Sequence, residues 1–595
     1  MSVKPTTWPA LPDVWERPGV LSVARLTPYV PGINVKGEVT GANWTYLLPH
    51  LEPEHVAVLG IPPPAVLSPL MRLAKRVTLL CVPRRAPKRG ADVGRLRLQY
   101  RSYPLHIAFL ETWRRLPLAS QSVDLLVLDD GELRARFTRH EAWPHEVRRV
   151  LKPTGLLYFQ AGPRSTALVE RLRHHAGTLR RFWITPLVGE MKTAVPERDP
   201  AAEAFLVRRG LYATGARRPP LSWFEGFLYR HGRLRARARR MSVLWTPDEE
   251  PVPHALPRYL RELAATSGLD LTAHRWALVA KGEYSSRKVL FYVFPPDEGD
   301  RPAHPAYLIK LTRDPRHNYR LENEVRALQA LRRVPFQGAE VLPRVLFAGH
   351  HGGLAVAGQT AVRGRPFDRC TLATPDCPHA RAATKWLVEL GRATVNREEA
   401  TSADVARALR LLLCQLAEVY RLSPDHHRFL ERQLERLAGD ERPFPLVFQH
   451  GDPGPWNVLV RPDGLPVFLD WESAEPLGMP LWDLWYFWRS YSLRVARARG
   501  TRRRLRAFSQ QFLAGSELSI RIVASVRHYR EQVGLPCEWT APLFYMCWVH
   551  RALKEATRLR PQLVERGHYI NLLRLCIDRR EMPTLRRMFG ERRGT

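Results

Sequence analysis

The sequence predicts two fold classes in one chain: an α/β doubly wound sheet domain in the N-terminal half and an α+β two-lobed domain in the C-terminal half. Three observations carry this. Short apolar runs alternate with helical stretches from about 46 to 210, the pattern of a mostly parallel sheet. From 271 a strand-rich stretch gives way to a long, mainly helical one. That helical stretch is interrupted once, by VFQHGDPGPWNVLVRPDGLPVFLDWE (447–472), where acidic and amide side chains flank short apolar strands. A chain of 595 residues also exceeds what one compact core organises.

Residues 1–45 are rich in Pro and Gly and read as an irregular N-terminal segment. The sheet domain follows over 46–240. AVLGI (57–61), VTLLCV (77–82), VDLLVLD (123–129) and LLYFQAG (156–162) are short, mainly apolar runs that read as buried strands. HEVRRVLK (145–152) reads as a helix closed by Pro153 and Gly155. The text around MSVLWTPDEEPVPHALP is basic, then acidic and Pro-rich, and is read as a linker over 241–270.

The second domain divides into a strand-rich lobe, 271–365, and a mostly helical lobe, 366–595. ALVAKGEYSSRKVLFYVF (277–294) reads as a hairpin, YLIKL (307–311) as a third strand and RLENEVRALQALRR (320–333) as a helix. The buried stripe of that helix is Leu321, Val325, Leu328 and Leu331. The aromatic run WDLWYFW (482–488) and FYMCWVHRALKEA (544–556) read as core helices of the last lobe.

The chemistry lies in 447–472. Asp452 is followed five residues later by Asn457, then by a strand, a turn, a second strand and Asp470. Phosphoryl transfer from ATP needs a carboxylate to orient the acceptor hydroxyl and metal ions to offset phosphate charge. Protein kinases meet this need with an Asp, an Asn five positions on, and a second Asp after a short hairpin. The text HGDxxxxN followed by LDWE resembles the aminoglycoside phosphotransferase and choline kinase family more closely, since Gly451 replaces an Arg and DWE stands where protein kinases have DFG. The resemblance implies Asp452 as catalytic base, with Asn457 and Asp470 as ligands of Mg²⁺. It also implies Asp483 as a brace on the catalytic loop, with His450 and Glu472 in supporting places.

A two-lobed kinase also needs a strand Lys paired with a Glu on the next helix. Lys310 is that lysine. Glu322 and Glu324 compete for the partner role, and Glu324 lies next to the apolar stripe at about 100° per residue. The phosphate-covering loop is placed at AKGEYSSRK (280–288), with Gly282, Ser285 and Ser286. The adenine-facing hinge is placed at the backbone from Thr360 to Val362.

Residues 50–165 resemble a class I methyltransferase. LPLASQSVDLLVLDD (116–130) and HEVRRVLKPTGLLYF (145–159) carry that likeness. The cofactor anchors depart from it. The first strand runs into Ile61-Pro62-Pro63-Pro64 instead of a Gly-rich loop, and the second into Pro83-Arg84-Arg85 instead of an acid. S-adenosylmethionine is therefore not expected as a cofactor. Asp124, Asp129 and Asp130 are read as turn and capping residues.

The expected function is transfer of the γ-phosphate of ATP to a hydroxyl of a small molecule (a sugar, amino-alcohol or aminoglycoside-like acceptor), with ATP and Mg²⁺ as cofactors. The alternative is a nucleotide-sensing scaffold that fuses a degenerate methyltransferase fold to a kinase-like domain. The formal net charge of +34 attracts anions in general but accompanies no nucleic-acid motif, so nucleic acid is not expected as a partner. The text holds no apolar run long enough for a membrane span and no signal for an oligomeric state. Seven scattered Cys and the absence of a signal-peptide core lead to a cytoplasmic expectation.

Overall fold

The computed structural model describes residues 41–82, 103–128, 130–162, 166–186, 189–197, 199–209, 211, 240–248, 254–282, 284, 286–296, 304–439 and 441–590. They fall into two compact units. One holds the described part of 37–318 with Leu346–Ala361; the other holds Tyr319–Val345 and the described part of 362–595.

The first unit is organised by one sheet of thirteen strands. In chain order they are β1 (His55–Leu59), β2 (Arg76–Cys81), β3 (Leu105–Phe109), β4 (Val123–Val127), β5 (Leu151–Ala161), β6 (Thr178–Thr185), β7 (Thr193–Pro196), β8 (Arg240–Thr246), β9 (Arg275–Val279), β10 (Val289–Phe294), β11 (Tyr307–Leu311), β12 (Val345–His351) and β13 (Leu354–Thr360). Across the sheet they run β12-β13-β11-β10-β9-β7-β6-β8-β5-β4-β1-β2-β3. The stretch β3-β2-β1-β4-β5 is parallel, the order of a doubly wound fold. Antiparallel β8 and β6 extend it, giving a methyltransferase-like sheet. At the far end β9, β10, β11 and β13 form an antiparallel kinase-like sheet.

The two halves of the sheet meet through the β6–β7 hairpin. β7 turns back on β6 and then pairs with β9, Thr193 opposite Val279 and Ala194 opposite Leu278. Alternation along β1 sends Val56 and Val58 to one face and Ala57 and Leu59 to the other. The core under Val56 and Val58 continues beneath Trp276, Leu278, Phe291, Ile309 and Val356. One hydrophobic layer thus serves both sets of strands.

Three expectations differ from this architecture. Residues 241–270, expected as a linker, contain β8, paired on both sides, and a helix, Arg258–Ala265, whose Tyr259, Leu260 and Leu263 enter the core. Flanking charge and prolines mask a strand whose own text, VLWT, is apolar. The strand-rich lobe expected at 271–365 shares the N-terminal sheet, while Tyr319–Val345 groups with the helical lobe. The helix expected over 145–152 spans Trp143–Val150, and Pro153 and Gly155 lie inside β5, where the register with β4 shifts. The N-terminal segment expected over 1–45 lies outside the described residues as far as 40; Asn43–Leu47 forms a 3-10 turn.

The second unit is a helical body around one large core. Helices Trp482–Ala498 and Thr540–Ala556 supply much of it, with Trp485, Phe487, Trp488, Phe544 and Trp548 buried. Short ladders break the helical pattern at 447–478. Val447–Gln449 pairs with Glu475–Gly478, and Val458–Val460 with Pro466–Phe468.

Candidate active site

The short ladders set two loops side by side. The strand Val447–Gln449 ends at His450-Gly451-Asp452, and Pro466–Phe468 leads into Asp470-Trp471-Glu472. The approach is so close that only glycine fits at 451. Its φ is +77°, and a Cβ there would lie 1.9 Å from the carbonyl oxygen of Ser473.

Asp483, in the first turn of Trp482–Ala498, reaches under the first loop. Its carboxylate accepts the backbone N–H of His450 at 2.5 Å and of Gly451 at 3.0 Å. Burial raises its pKa, and the His450 imidazole and these N–H donors pull the other way. His450 is fully buried. Its Nδ1 accepts from the backbone N–H of Asp452 at 3.2 Å, which leaves Nε2–H to donate to the carbonyl of Leu469 at 3.1 Å. Burial lowers its pKa, and with Nδ1 accepting and Nε2 donating the ring is a strut between the two loops. It rests against Trp471, centroids 4.3 Å apart.

Asp452 and Asn457 are in contact. Asn457 Nδ2 donates to the Asp452 carbonyl at 2.9 Å and to its Oδ2 at 3.3 Å. The amide nitrogen is thereby committed to Asp452, and the amide oxygen is the atom left to face outward. Asp470 has φ +67°, a left-handed conformation uncommon for a residue with a Cβ. Backbone strain of this kind gathers at functional positions. Asn457 and Asp470 offer hard oxygen donors of the sort Mg²⁺ takes. Among the described residues no group of three or more His, Cys, Asp or Glu could hold a metal by itself.

Glu472 pairs with Arg320 at 3.1 Å. Asn323, one turn on, donates to the carbonyls of Glu472 at 3.3 Å and Ala474 at 2.9 Å. The helix Asn318–Leu331 is so tied to the second loop. Glu324 on this helix is 1% exposed and Glu322 7%, and Glu322 lies 3.9 Å from Arg326.

Lys310 lies in the first unit, on β11 between Leu290 and Ala357, and is buried. Gly282 has φ +128°, with Arg287 where a Cβ would go. Ser286 is buried; Ser285 lies outside the described residues. Thr360 closes β13 opposite Tyr307, the N–H of Ala361 donates to Ala306, and the unit boundary falls between Ala361 and Val362.

Sequence reading missed two cations on Thr540–Ala556. Lys554 Nζ donates to Ser473 Oγ at 3.0 Å and lies 3.5 Å from the Gly451 carbonyl, bridging both loops. Burial and the nearby Arg551 guanidinium lower its pKa to about 8, against the pull of Asp452. Arg551 is 3% exposed, sits 3.6 Å from the centre of the Tyr486 ring, and among the described residues makes no ion pair. Trp456, just before Asn457, is exposed and edge-on to Tyr486 at 6.1 Å. The available signal was two basic residues three apart on a helix that is apolar over most of its length. Lys554 yields a pH prediction. Its folded pKa is lower than its unfolded one, so the unfolded chain holds more protons between about pH 8 and 10.5. Wild type should therefore gain stability relative to Lys554→Met as pH rises through that window in urea melts.

In the N-terminal part, Gly60 has φ +92°, and its open side is filled by Leu133 and Asp130. The chain passes through Pro62 and Pro63 directly into the helix Pro64–Leu73. Asp130 caps the helix Gly131–Phe137, and Asp124 pairs with Lys152 at 2.9 Å. Asp129 and the turn after β2 lie outside the described residues.

Comparison with known proteins is decided in the C-terminal half. Residues 281–518 match APH, the phosphotransferase enzyme family. No curated protein matches the chain. Similar solved structures include the macrolide 2'-phosphotransferase MphH of Brachybacterium faecium, 19% identical over 50% of this chain and 89% of that one, TM-score 0.30. WbdD, solved with the kinase inhibitor LY294002, is 14% identical over 81% of this chain and 84% of its own, TM-score 0.21. The YcgJ protein of a Bacillus is 11% identical over 35% and 96%, TM-score 0.21. Scores this low bear no argument about function. The phosphotransferase match agrees with the two loops; among the described residues no helix is long and apolar enough to cross a membrane.

Proposed function

We propose that the chain transfers the γ-phosphate of ATP to a hydroxyl group of a small molecule. The observation that carries the reading is the pair of interlocked loops. Asp452 is held by Asn457, and its loop is held by Asp483 and His450, beside a strained Asp470. In this reading Asp452 accepts a hydrogen bond from the acceptor hydroxyl, orients its oxygen towards the phosphorus and takes its proton as the bond forms. Asn457 and Asp470 hold Mg²⁺, which when bound offsets charge on the phosphates. Lys310, with Glu324, positions the nucleotide phosphates. Gly282, Ser285 and Ser286 cover them, and the backbone from Thr360 to Val362 meets the adenine. Lys554 fixes the spacing of the two loops.

The acceptor side favours a neutral or anionic molecule over a cationic one. The side chains of the helix Thr540–Ala556 whose fields reach Asp452 are Arg551 and Lys554. A cationic aminoglycoside would meet two like charges there, while the exposed Trp456 ring suits packing against a sugar. The test is a transfer assay with γ-labelled ATP against matched neutral sugars, acidic sugars and aminoglycosides. Label should move to a member of the first two classes. Label moving to aminoglycosides alone would refute the acceptor reading, and hydrolysis or binding of ATP without transfer to any alcohol would favour the sensing scaffold.

A further inference from the structure

Within the unit that holds the sheet, a cavity of about 50 Å³ opens among the turn Asn43–Leu47, the end of the helix Pro64–Leu73, the residues after β11 and the β12–β13 turn. Its charged lining residues are Arg72 and Arg313, with no acid among the lining. Arg313 is 3% exposed. Its Nη1 donates to Asn43 Oδ1 at 3.0 Å and its Nη2 to the Ala280 carbonyl at 2.5 Å, while Nε–H has no acceptor. Among the described residues no carboxylate forms an ion pair with it. A buried guanidinium in this condition has no carboxylate in direct contact and leaves one N–H unbonded, and both are costly.

Arg72, across the cavity, is partly exposed and pairs with Asp314 at 3.0 Å. Asp314 also takes Arg316 at 2.8 Å, so one carboxylate is shared by two guanidiniums. The Tyr46 hydroxyl lies in the field of both lining arginines; Glu190, outside the lining, is the acid that acts on Arg313. Pro69 and Leu354 close the remaining walls. A water-sized site occupies roughly 10–15 Å³ on this measure, so the space suits a group of about four oxygens and not a nucleoside.

We propose that this cavity binds a phosphate group, either inorganic phosphate or the head of a small phosphomonoester, between Arg72 and Arg313. The unsatisfied Nε–H of Arg313 and the Arg72 N–H groups not used by Asp314 are the donors a compact oxyanion would take, and guanidinium donors suit phosphate. The site is built jointly by the methyltransferase-like part, through Asn43, Tyr46 and Arg72, and by the end of β11, three residues beyond Lys310. It is independent of the phosphotransfer reading and stands or falls separately.

The test is calorimetric titration of inorganic phosphate, and separately of glycerol 3-phosphate, into the full chain. The proteins are wild type, Arg72→Ala, Arg313→Met and Asp470→Ala. Wild type and Asp470→Ala should bind alike, and each arginine variant should bind about tenfold more weakly or worse. If Arg313→Met does not fold, the partly exposed Arg72 decides alone. Tighter binding of glycerol 3-phosphate would select a phosphomonoester as the ligand, and equal or weaker binding the inorganic ion; either order supports the site. No saturation of wild type by about 10 mM of either probe, undiminished binding in the folded arginine variants, or loss of binding in Asp470→Ala would overturn it.

Discussion

Asp452→Asn is expected to lower turnover by about 10²–10⁴-fold while leaving affinity for ATP nearly unchanged. The substitution keeps the shape of the side chain and the contact with Asn457 Nδ2, since an amide oxygen accepts as a carboxylate oxygen does. In the proposed reaction it removes the group that takes the proton of the acceptor hydroxyl, and general-base catalysis is worth about that factor. The loop itself should stand, because its supports are Asp483, His450 and Gly451, none of which contacts the Asp452 carboxylate. Steady-state rates and a nucleotide titration on the same preparation separate the two quantities. A variant that turns over at the wild-type rate would remove Asp452 from the chemistry.

The second large effect is on stability. Asp483→Ala leaves the N–H groups of His450 and Gly451 without an acceptor in a dry interior. Each buried donor left unpaired costs about 1–3 kcal/mol, so the pair should cost roughly 2–6 kcal/mol. Removing a buried carboxylate, whose desolvation opposes its charge, returns part of this. Asp483→Asn retains one acceptor oxygen and should fall between Ala and wild type. Urea denaturation gives the order directly. The Ala variant should also lose activity beyond its loss of stability, because the freed loop carries Asp452. An Ala variant as stable and active as wild type would show that the loop holds itself.

The residues legible in the sequence share a physical reason. The proposed site residues Asp452, Asn457 and Asp470 all fall within 452–470, joined by one hairpin, so the spacing of that single segment and its family resemblance single them out. Asp483 follows on the next helix. β1, β2 and β4 were legible because strands covered on both faces are written as mainly apolar runs. The join between β7 and β9 was not. Thr193 and Val279 pair across a long separation, and neither strand carries a local mark of its partner. β8 was hidden by the arginines before it and the acids and prolines after it, since a composition window averages over a seven-residue strand. Lys554 and Arg551 went unmarked within a segment read as a core helix because the signal that distinguishes them, proximity to Ser473, Gly451 and Tyr486, exists only in three dimensions.

The central claim is a working Mg²⁺-nucleotide site built on the second loop. The most direct measurement is calorimetric titration of ATP into wild type and Asp470→Ala, each with and without Mg²⁺. The account predicts saturable, Mg²⁺-dependent binding to wild type that Asp470→Ala abolishes. Absence of binding to wild type at millimolar nucleotide, or equal Mg²⁺-dependent binding by both proteins, would contradict it.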